Sequence, residues 1–594
     1  MQNSQSAPSR RTLVGRFWSS ARGFWLKEDR VTAWLLTVGL IVLIFIQLGI
    51  QYRLNIWNRD IFNAIALKDG NAIFTQALIL LPLAAATLGL AVIAVYGRMT
   101  MQREWRAWLV KHLLGRWLAK GHYYQLNLVR GESLVPEGRM TDDARIASDA
   151  PVDFTVGMFS SFVTAITFIG VLWVVGGDIT VGTSNFSIVI PGYLVIAAVI
   201  YSAFVSVGMV LIARQFIRVS EATSQAEAEF RYALTRLREN GESIALLSGE
   251  QEEQRGLREG LRSVIERWRL YARQHMRATV VSSSNSLLAP TIPLILCTPK
   301  YIAGTMTLGE VTQAAAAFVL VQSAFNWLVD NYPRLADWMA SARRVGQLLL
   351  AFDHLDTISK PGEAGAIKRT EEAGAALRLR DLTVSLDDGT VIINDADATI
   401  GLSERVLLLG DSGTGKTTLL RAIAGLWPWG QGEIALRTGA KMFLMPQRPY
   451  IPLGTLRRVV SYPLASSDVT DDKILELMTS VGLGHLVKNL DEDVAWDHVL
   501  SGGEKQRIAF ARLFLHRPNL IIMDEATSAL DTASQTTMMT LLIDRLPNAA
   551  VVSIAHRPEL DAFHDRKLIF EHRPGGSHLI AKGISGHSTR ASIP

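Results

Sequence analysis

Residues 410–420 read GDSGTGKTTLL and fit the spacing G-x-x-x-x-G-K-[ST] with Gly410, Gly415, Lys416 and Thr417. Glycines at those places let backbone amides wrap a phosphate with no side chain in the way. Lys416 adds a point charge for β- and γ-phosphates, and the Thr417 hydroxyl can ligate Mg²⁺. The candidate cradle comprises Gly410, Asp411, Ser412, Gly413, Thr414, Gly415, Lys416, Thr417 and Thr418. A second cluster closes the segment LIIMDE, residues 520–525, with Asp524 standing 107 residues after Thr417. Asp524 is placed to hold the metal, directly or through water. Glu525 is placed to orient or deprotonate an attacking water. Phosphoryl transfer asks mostly for positioning and charge neutralisation, and these residue types supply both.

Both clusters need rigid supports. RVLLLG, 405–410, reads as a buried strand that runs straight into the loop. The residues that follow read as a helix whose N-terminal dipole points at the same phosphates. Asp524 and Glu525 end a second apolar strand. The expected fold of 377–594 is an α/β P-loop NTPase domain. A linker over 346–376, rich in Pro, Gly and Ala toward its end, precedes it.

The chain ahead of the linker has another character. Of 594 residues, 49% are apolar and only 19% charged, against about 25% in a typical soluble domain. The net charge of +5 argues against a nucleic-acid partner, and the single cysteine, Cys297, excludes an intrachain disulfide or a multi-cysteine metal site. Residues 31–50 carry no charge over a length that spans a bilayer core. Similar runs lie near 76–97, 154–176, 188–213, 280–303 and 309–330, which makes six expected spans within 31–345. Residues 1–30 read as a tail followed by an amphipathic helix over 14–25, lying in the membrane interface. Twelve Arg and no Lys fall between 214 and 277, whereas 177–187 has neither, so the long loops and both termini are expected in the cytoplasm. The charged stretches of those loops, such as 221–275, read as helices continuing out of the membrane. Gln47, Gln76, Gln313, Gln322, Asn326 and Asp330 sit in or near spans; for each glutamine, hydrogen bonding between helices is the favoured reading, and together they allow a water-filled cavity. Pro290, Pro293 and Pro299 are expected to bend one span.

LSGGEKQR, residues 500–507, resembles the LSGGQ signature of ABC transporter ATPases, with Glu504 where Gln is commoner. The resemblance extends to Gln447 in MPQRPYIPLGTLR, Asp531 in SALD and His556 in SIAHRP, 31 residues beyond Glu525. It implies ATP and Mg²⁺ as cofactors, Glu525 and His556 as catalytic residues, and Thr417, Gln447 and Asp524 as the metal set. It also implies that Ser501, Gly502 and Gly503 of one chain cover the γ-phosphate held by Lys416 of another, and that Asp531 belongs to the nucleotide-binding set as the D-loop residue. One membrane half with one ATPase then implies a homodimer, or a heterodimer with a second half-transporter. The family's adenine-stacking aromatic has no counterpart in DLTVSLDDGTV, where Leu386 stands about at that place.

Six spans before a C-terminal ATPase resemble the exporter-type transmembrane domain of that family. RLNIWNRDIFNAI, REWRAWL, HYYQL, DARI, EAEFRYALTRLRENGESIALLSGE and AGLWPWGQG resemble the branch joining peroxisomal fatty-acyl half-transporters to bacterial SbmA/BacA-like proteins. The resemblance is greatest to BacA-related transporters with a fused ATPase. It implies a bacterial inner-membrane protein that takes up peptides, antimicrobial ones included, and other bulky hydrophilic solutes such as cobalamin. The alternatives are export or flipping of lipids, fatty-acyl compounds or drugs, a non-transporting ATPase, and proton-driven permeation through Glu310 or Asp330. Those two carboxylates read equally as a helix cap and an interface charge, which is the favoured reading.

Overall fold

The computed structural model describes residues 10–26, 30–128, 136–183, 186–358 and 366–583. The chain forms two compact units, Met1–Gly115 with Val135–Leu350, and Arg116–Leu134 with Ala351–Pro594.

The first unit is helical. α1 (Arg10–Ala21) and α2 (Gly23–Leu26) precede α3 (Arg30–Ala66) and α4 (Gly70–Leu118). Then come α5 (Ala144–Gly176), α6 (Tyr193–Glu239), α7 (Glu250–Ile302), α8 (Leu308–Asp330) and α9 (Tyr332–Ile358). Among the described residues six helices are long and apolar enough to cross a membrane, α3 to α8, as the apolar runs predict. The run near 188–213 divides: its start lies in a small antiparallel hairpin of β1 (Ile179–Thr183) and β2 (Phe186–Ile190), and the helix begins only at Tyr193. α6 and α7 have 47 and 53 residues. At 1.5 Å per residue they reach about 70–80 Å, far beyond a hydrocarbon core of about 30 Å. They pair antiparallel, with Trp268 Nε1 donating to Glu227 at 2.9 Å and Tyr201 to Asn285 at 3.0 Å. The helix assignment runs through Pro290, Pro293 and Pro299 without interruption.

Polar groups in the spans mostly bond from helix to helix. Gln47 Nε2 donates to Leu90 O at 3.2 Å, Gln322 Nε2 to Asn285 Oδ1 at 2.9 Å, and Ser206 Oγ to Asn326 Oδ1 at 3.1 Å. Glu310 is a cap: its carboxylate accepts from Thr307 N at 2.8 Å while its own amide donates to the Thr307 hydroxyl. The amphipathic stretch at 14–25 divides at Arg22 into α1 and α2, and its face of Phe17, Ala21 and Phe24 is buried. Trp18 and Phe24 from that stretch pack near the Trp105 ring. Gly23 is required there, because a Cβ would meet the Trp108 ring at 2.5 Å.

The second unit is a ten-stranded sheet with helices. The strands are β3 (Lys368–Glu372), β4 (Leu377–Ser385), β5 (Val391–Ile400), β6 (Arg405–Gly410), β7 (Gly430–Arg437), β8 (Met442–Met445), β9 (Leu520–Asp524), β10 (Ala550–Ile554), β11 (Arg566–Arg573) and β12 (Gly576–Gly583). Their order is β3-β7-β4-β5-β12-β11-β6-β10-β9-β8. From β11 to β8 all neighbours are parallel. β9 and β10 are buried almost throughout, which is why their sequences LIIMD and AVVSI lack alternation. Three helices matter below: α10 (Lys416–Ile423), α11 (Gly502–His516) and α12 (Thr532–Arg545).

Candidate active site at three strand ends

β10 lies between β6 and β9, and Leu408, Ile554 and Asp524 stand abreast in the ladder. The carboxyl ends of these neighbours therefore deliver the phosphate loop, His556 and the Asp524–Glu525 pair to one edge. Ligands of open parallel sheets bind at such strand ends.

The loop leaves β6 at Gly410 and re-enters regular structure at Lys416. Gly415 has φ of +93°, and a Cβ there would meet Ile392 Cγ2 at 2.7 Å. Thr414 is buried and donates its hydroxyl to Asp411 O at 2.9 Å, which closes the turn. Lys416 Nζ donates to the carbonyls of Gly410 and Asp411 at 2.6 and 2.8 Å. Burial pushes the Lys416 ammonium below its ordinary pKa, against the opposing charges of Glu525, Asp411 and Asp524. A buried cation held only by carbonyl dipoles and distant carboxylates would gain much from a phosphate.

Thr417 Oγ1 lies 3.4 Å from Asp524 Oδ1. Burial raises the Asp524 pKa, and the neighbouring Glu525 charge raises it further. Glu525 has φ of +48°, a conformation that costs a non-glycine residue about 1–3 kcal/mol. Its amide is held by Ile554 O at 3.0 Å, which ties the turn to β10. Its carboxylate accepts from Gln447 Nε2 at 2.7 Å and lies 3.5 Å from His556 Nε2. Gln447, Glu525 and His556, widely separated in sequence, thus converge on one carboxylate.

The remaining candidates lie elsewhere in the same unit. Ser501 is the N-cap of α11, and Asp531 is the N-cap of α12, accepting from Ser534 N at 2.7 Å. Among the described residues no hydrogen bond joins Ser501, Gly502 or Gly503 to the loop 410–418. Glu504 is explained locally: it accepts from Ser501 N at 2.9 Å and from the Ser501 hydroxyl at 2.8 Å, a capping box that Glu or Gln can close. His485 Nε2 stands 3.3 Å from the other Glu504 oxygen. Gln506 was not singled out by the motifs, yet it bridges them. Its Nε2 donates to Gln447 O and Ser528 Oγ, and its Oε1 accepts from Ala529 N at 3.0 Å. Arg557, next to His556, donates to Leu530 O and Ser528 O. Both bond mainly to backbone atoms, so only their place inside LSGGEKQR and SIAHRP marked them. Leu386 is half-buried in the β4–β5 turn, and Ile392 packs beside the loop, so aliphatic groups stand near the missing aromatic.

The described residues 116–128 belong to this unit. Arg116 donates to Asp353 and Asp356 at 2.9 and 2.8 Å. Within the short helix His122–Gln125, the Tyr124 ring lies 5.8 Å from the guanidinium of Arg421, on the same helix as Lys416 and Thr417.

The sequence matches the ABC transporter transmembrane region 2 family over residues 26–302 and the ABC transporter family over 393–528. An ABC transporter ATP-binding protein of Synechocystis is 31% identical over 91% of this chain and 81% of its own length. The chain belongs to the ABC transporter family. The inner membrane ABC transporter ATP-binding protein YddA of Escherichia coli is 28% identical, with 92% of this chain and 96% of that protein covered. The chloroplastic ABC transporter D family member 2 of Arabidopsis thaliana is 27% identical, covering 94% of this chain and 86% of the relative. The fold is shared with a bacterial Atm1-family ABC exporter solved with ATP bound, at a TM-score of 0.71 and 16% identity, over 90% of this chain and 94% of that one. This ABC transporter therefore carries a membrane domain and an ATP-hydrolysing domain on one chain, and is related to the D subfamily.

Proposed function

We propose that this ABC transporter is a half-transporter of the SbmA/BacA-like branch, working as a homodimer in a bacterial inner membrane. On this reading it imports peptides or other bulky hydrophilic solutes, cobalamin among them. The observation that carries the ATPase part is the convergence of Gln447 and His556 on Glu525, beside Thr417 and Asp524. Thr417, Asp524 and Gln447 fit a Mg²⁺ ion, because Thr417 Oγ1 and the half-buried Asp524 carboxylate already stand 3.4 Å apart and a cation would reverse the rise that burial gives the Asp524 pKa. When bound, the ion neutralises β- and γ-phosphate charge. The chain's own residues do the rest. Lys416 exchanges two carbonyls for phosphate oxygens. Glu525 orients a water and accepts its proton, and His556 holds the Glu525 carboxylate in place. Ser501, Gly502 and Gly503 offer a helix N-terminus to the γ-phosphate of the other copy.

Coupling follows from α10. A phosphate that pulls on Lys416 moves Arg421, and with it Tyr124, which follows α4 in the chain. Hydrophilic cargo draws some support from a cavity of about 330 Å³ whose wall sets Gln47, Gln51, Thr87, Ser160 and Thr164 among aliphatic side chains. A neighbouring cavity of about 250 Å³ carries Arg98, Asp153 and Arg334. The exporter-like fold supports the second reading, outward movement of lipids, fatty-acyl compounds or drugs. Sealed proteoliposomes with ATP on the ATPase side decide between them. Labelled peptide or cobalamin leaving the lumen supports import, since the ATPase side is then outside. Accumulation in the lumen supports export, and movement of labelled lipid alone overturns the hydrophilic cargo.

A further inference from the structure

The signature turn holds one bond that works against its expected task. Ser501 has a single hydroxyl proton, and that proton is committed: Ser501 Oγ donates to Glu504 Oε2 at 2.8 Å. Burial raises the Glu504 pKa, but the bonds from Ser501 and His485 outweigh it and hold it below the ordinary value, so the group is a carboxylate. A carboxylate only accepts, which fixes the direction of the bond. The same oxygen accepts from Ser501 N at 2.9 Å, and Glu504 N donates to Ser501 Oγ at 3.3 Å. On the far side His485 Nε2 stands 3.3 Å from Glu504 Oε1, and beside a pure acceptor it carries the ring proton.

A γ-phosphate reaching Ser501 needs that hydroxyl proton. To give it, Ser501 must break a bond to a charged acceptor, and such bonds are about twice as strong as those to neutral ones. Glutamine in the same place would close the capping box through a neutral oxygen and release the proton more readily. The fold is indifferent to that exchange, but the hydroxyl is not. His485 acts the other way. Its N–H, bonded to Oε1, lowers the negative charge left at Oε2 and so loosens the hold on Ser501.

We propose that Glu504 is a positioning residue that withholds the Ser501 hydroxyl proton from the γ-phosphate, and that His485 sets how firmly it does so. The pair thereby raises the ATP concentration that the composite site needs. This role rests on the reading above that Ser501 of one copy meets the γ-phosphate of the other.

The test uses the full-length protein in nanodiscs. In steady state, Glu504→Gln should lower the KM for ATP about fivefold, the difference between a bond to a charged acceptor and one to a neutral acceptor, with kcat near wild type. His485→Ala should raise KM by about 1.5- to 5-fold, the range of an exposed pair. The double variant should match Glu504→Gln alone, because the ring then has no carboxylate to act on. A merely structural cap would instead shift the unfolding temperature and leave KM where it is. Ser501→Ala, followed as retained labelled ATP in the Glu525→Gln background, should bind ATP more weakly, and Glu504→Gln should bring no gain there. Unchanged retention in Ser501→Ala overturns the reading that Ser501 meets a phosphate. Weaker retention in Ser501→Ala with no fall in KM for Glu504→Gln overturns the role of Glu504 by itself. A gain from Glu504→Gln that persists in Ser501→Ala overturns the hydroxyl route and leaves like-charge repulsion as the cause. Equal KM in His485→Ala and wild type overturns the part given to His485.

Discussion

The two units of this chain store function differently. In the ATPase unit the working groups sit at the ends of three adjacent strands, and backbone does much of the binding, so a few short motifs in fixed spacing mark the whole site. In the helical unit the polar groups that line one cavity come one or two from each of three spans: Gln47 and Gln51 from α3, Thr87 from α4, Ser160 and Thr164 from α5. Within a span they are one helical turn apart, but no spacing unites one span's groups with another's. A strand end concentrates chemistry along the chain, whereas a helix bundle distributes it across the chain.

The largest effects should fall on the concentrated side. Glu525→Gln should retain ATP binding while phosphate release drops by about 10²- to 10⁴-fold, the usual contribution of a positioned base; turnover near wild type in the purified protein would break the comparison there. Lys416→Ala should lose nucleotide affinity, measured with a fluorescent ATP analogue, and transport with it. Mixed dimers of Lys416- and Ser501-disabled chains should recover at most one site in two.

A smaller effect tests the contact between α10 and the segment that follows α4. Tyr124→Ala removes a contact worth about 0.5–1 kcal/mol. ATP affinity should stay unchanged while solute moved per ATP hydrolysed falls severalfold. An unchanged ratio in proteoliposomes would mean that the coupling runs elsewhere.

Next comes a pH effect that only the fold creates. His564 is buried between Ser553 Oγ at 2.9 Å and Leu560 O at 2.7 Å, and burial holds its pKa below 6.5. The unfolded chain takes up a proton that the fold refuses, so stability is full above about pH 6.5 and falls below it, by at most about 1.4 kcal/mol per pH unit. Thermal unfolding of the purified protein between pH 8 and 5.5 should show this slope, and His564→Gln should flatten it. The smallest effect on stability is expected of Glu504→Gln, because either residue closes the capping box. Unfolding should change by less than about 0.5 kcal/mol, and a large loss would assign the His485 pairing a weight the geometry does not suggest.

Much of this was legible in advance, for identifiable reasons. The span lengths follow from bilayer thickness, so six apolar runs predict the six helices. The loop at 410–418 follows from the demand of a phosphate for unobstructed amides. The reading at 14–25 missed a break, because the Trp108 ring that requires Gly23 comes from a distant helix. The bridging by Gln506 and Arg557 was hidden because both bond mainly to backbone atoms that carry no sequence mark.

By itself, then, the order of residues determined what is local or periodic: the spans, the phosphate loop, the two carboxylates at the end of β9, and the cap that lets Glu504 replace Gln. Tertiary structure alone decided which distant groups meet. It brought Gln447 and His556 to Glu525 and set Arg421 over Tyr124. The physical reason is that local geometry follows from bond rotations a few residues long, whereas such meetings depend on strand order and helix packing, which no short stretch of chain encodes.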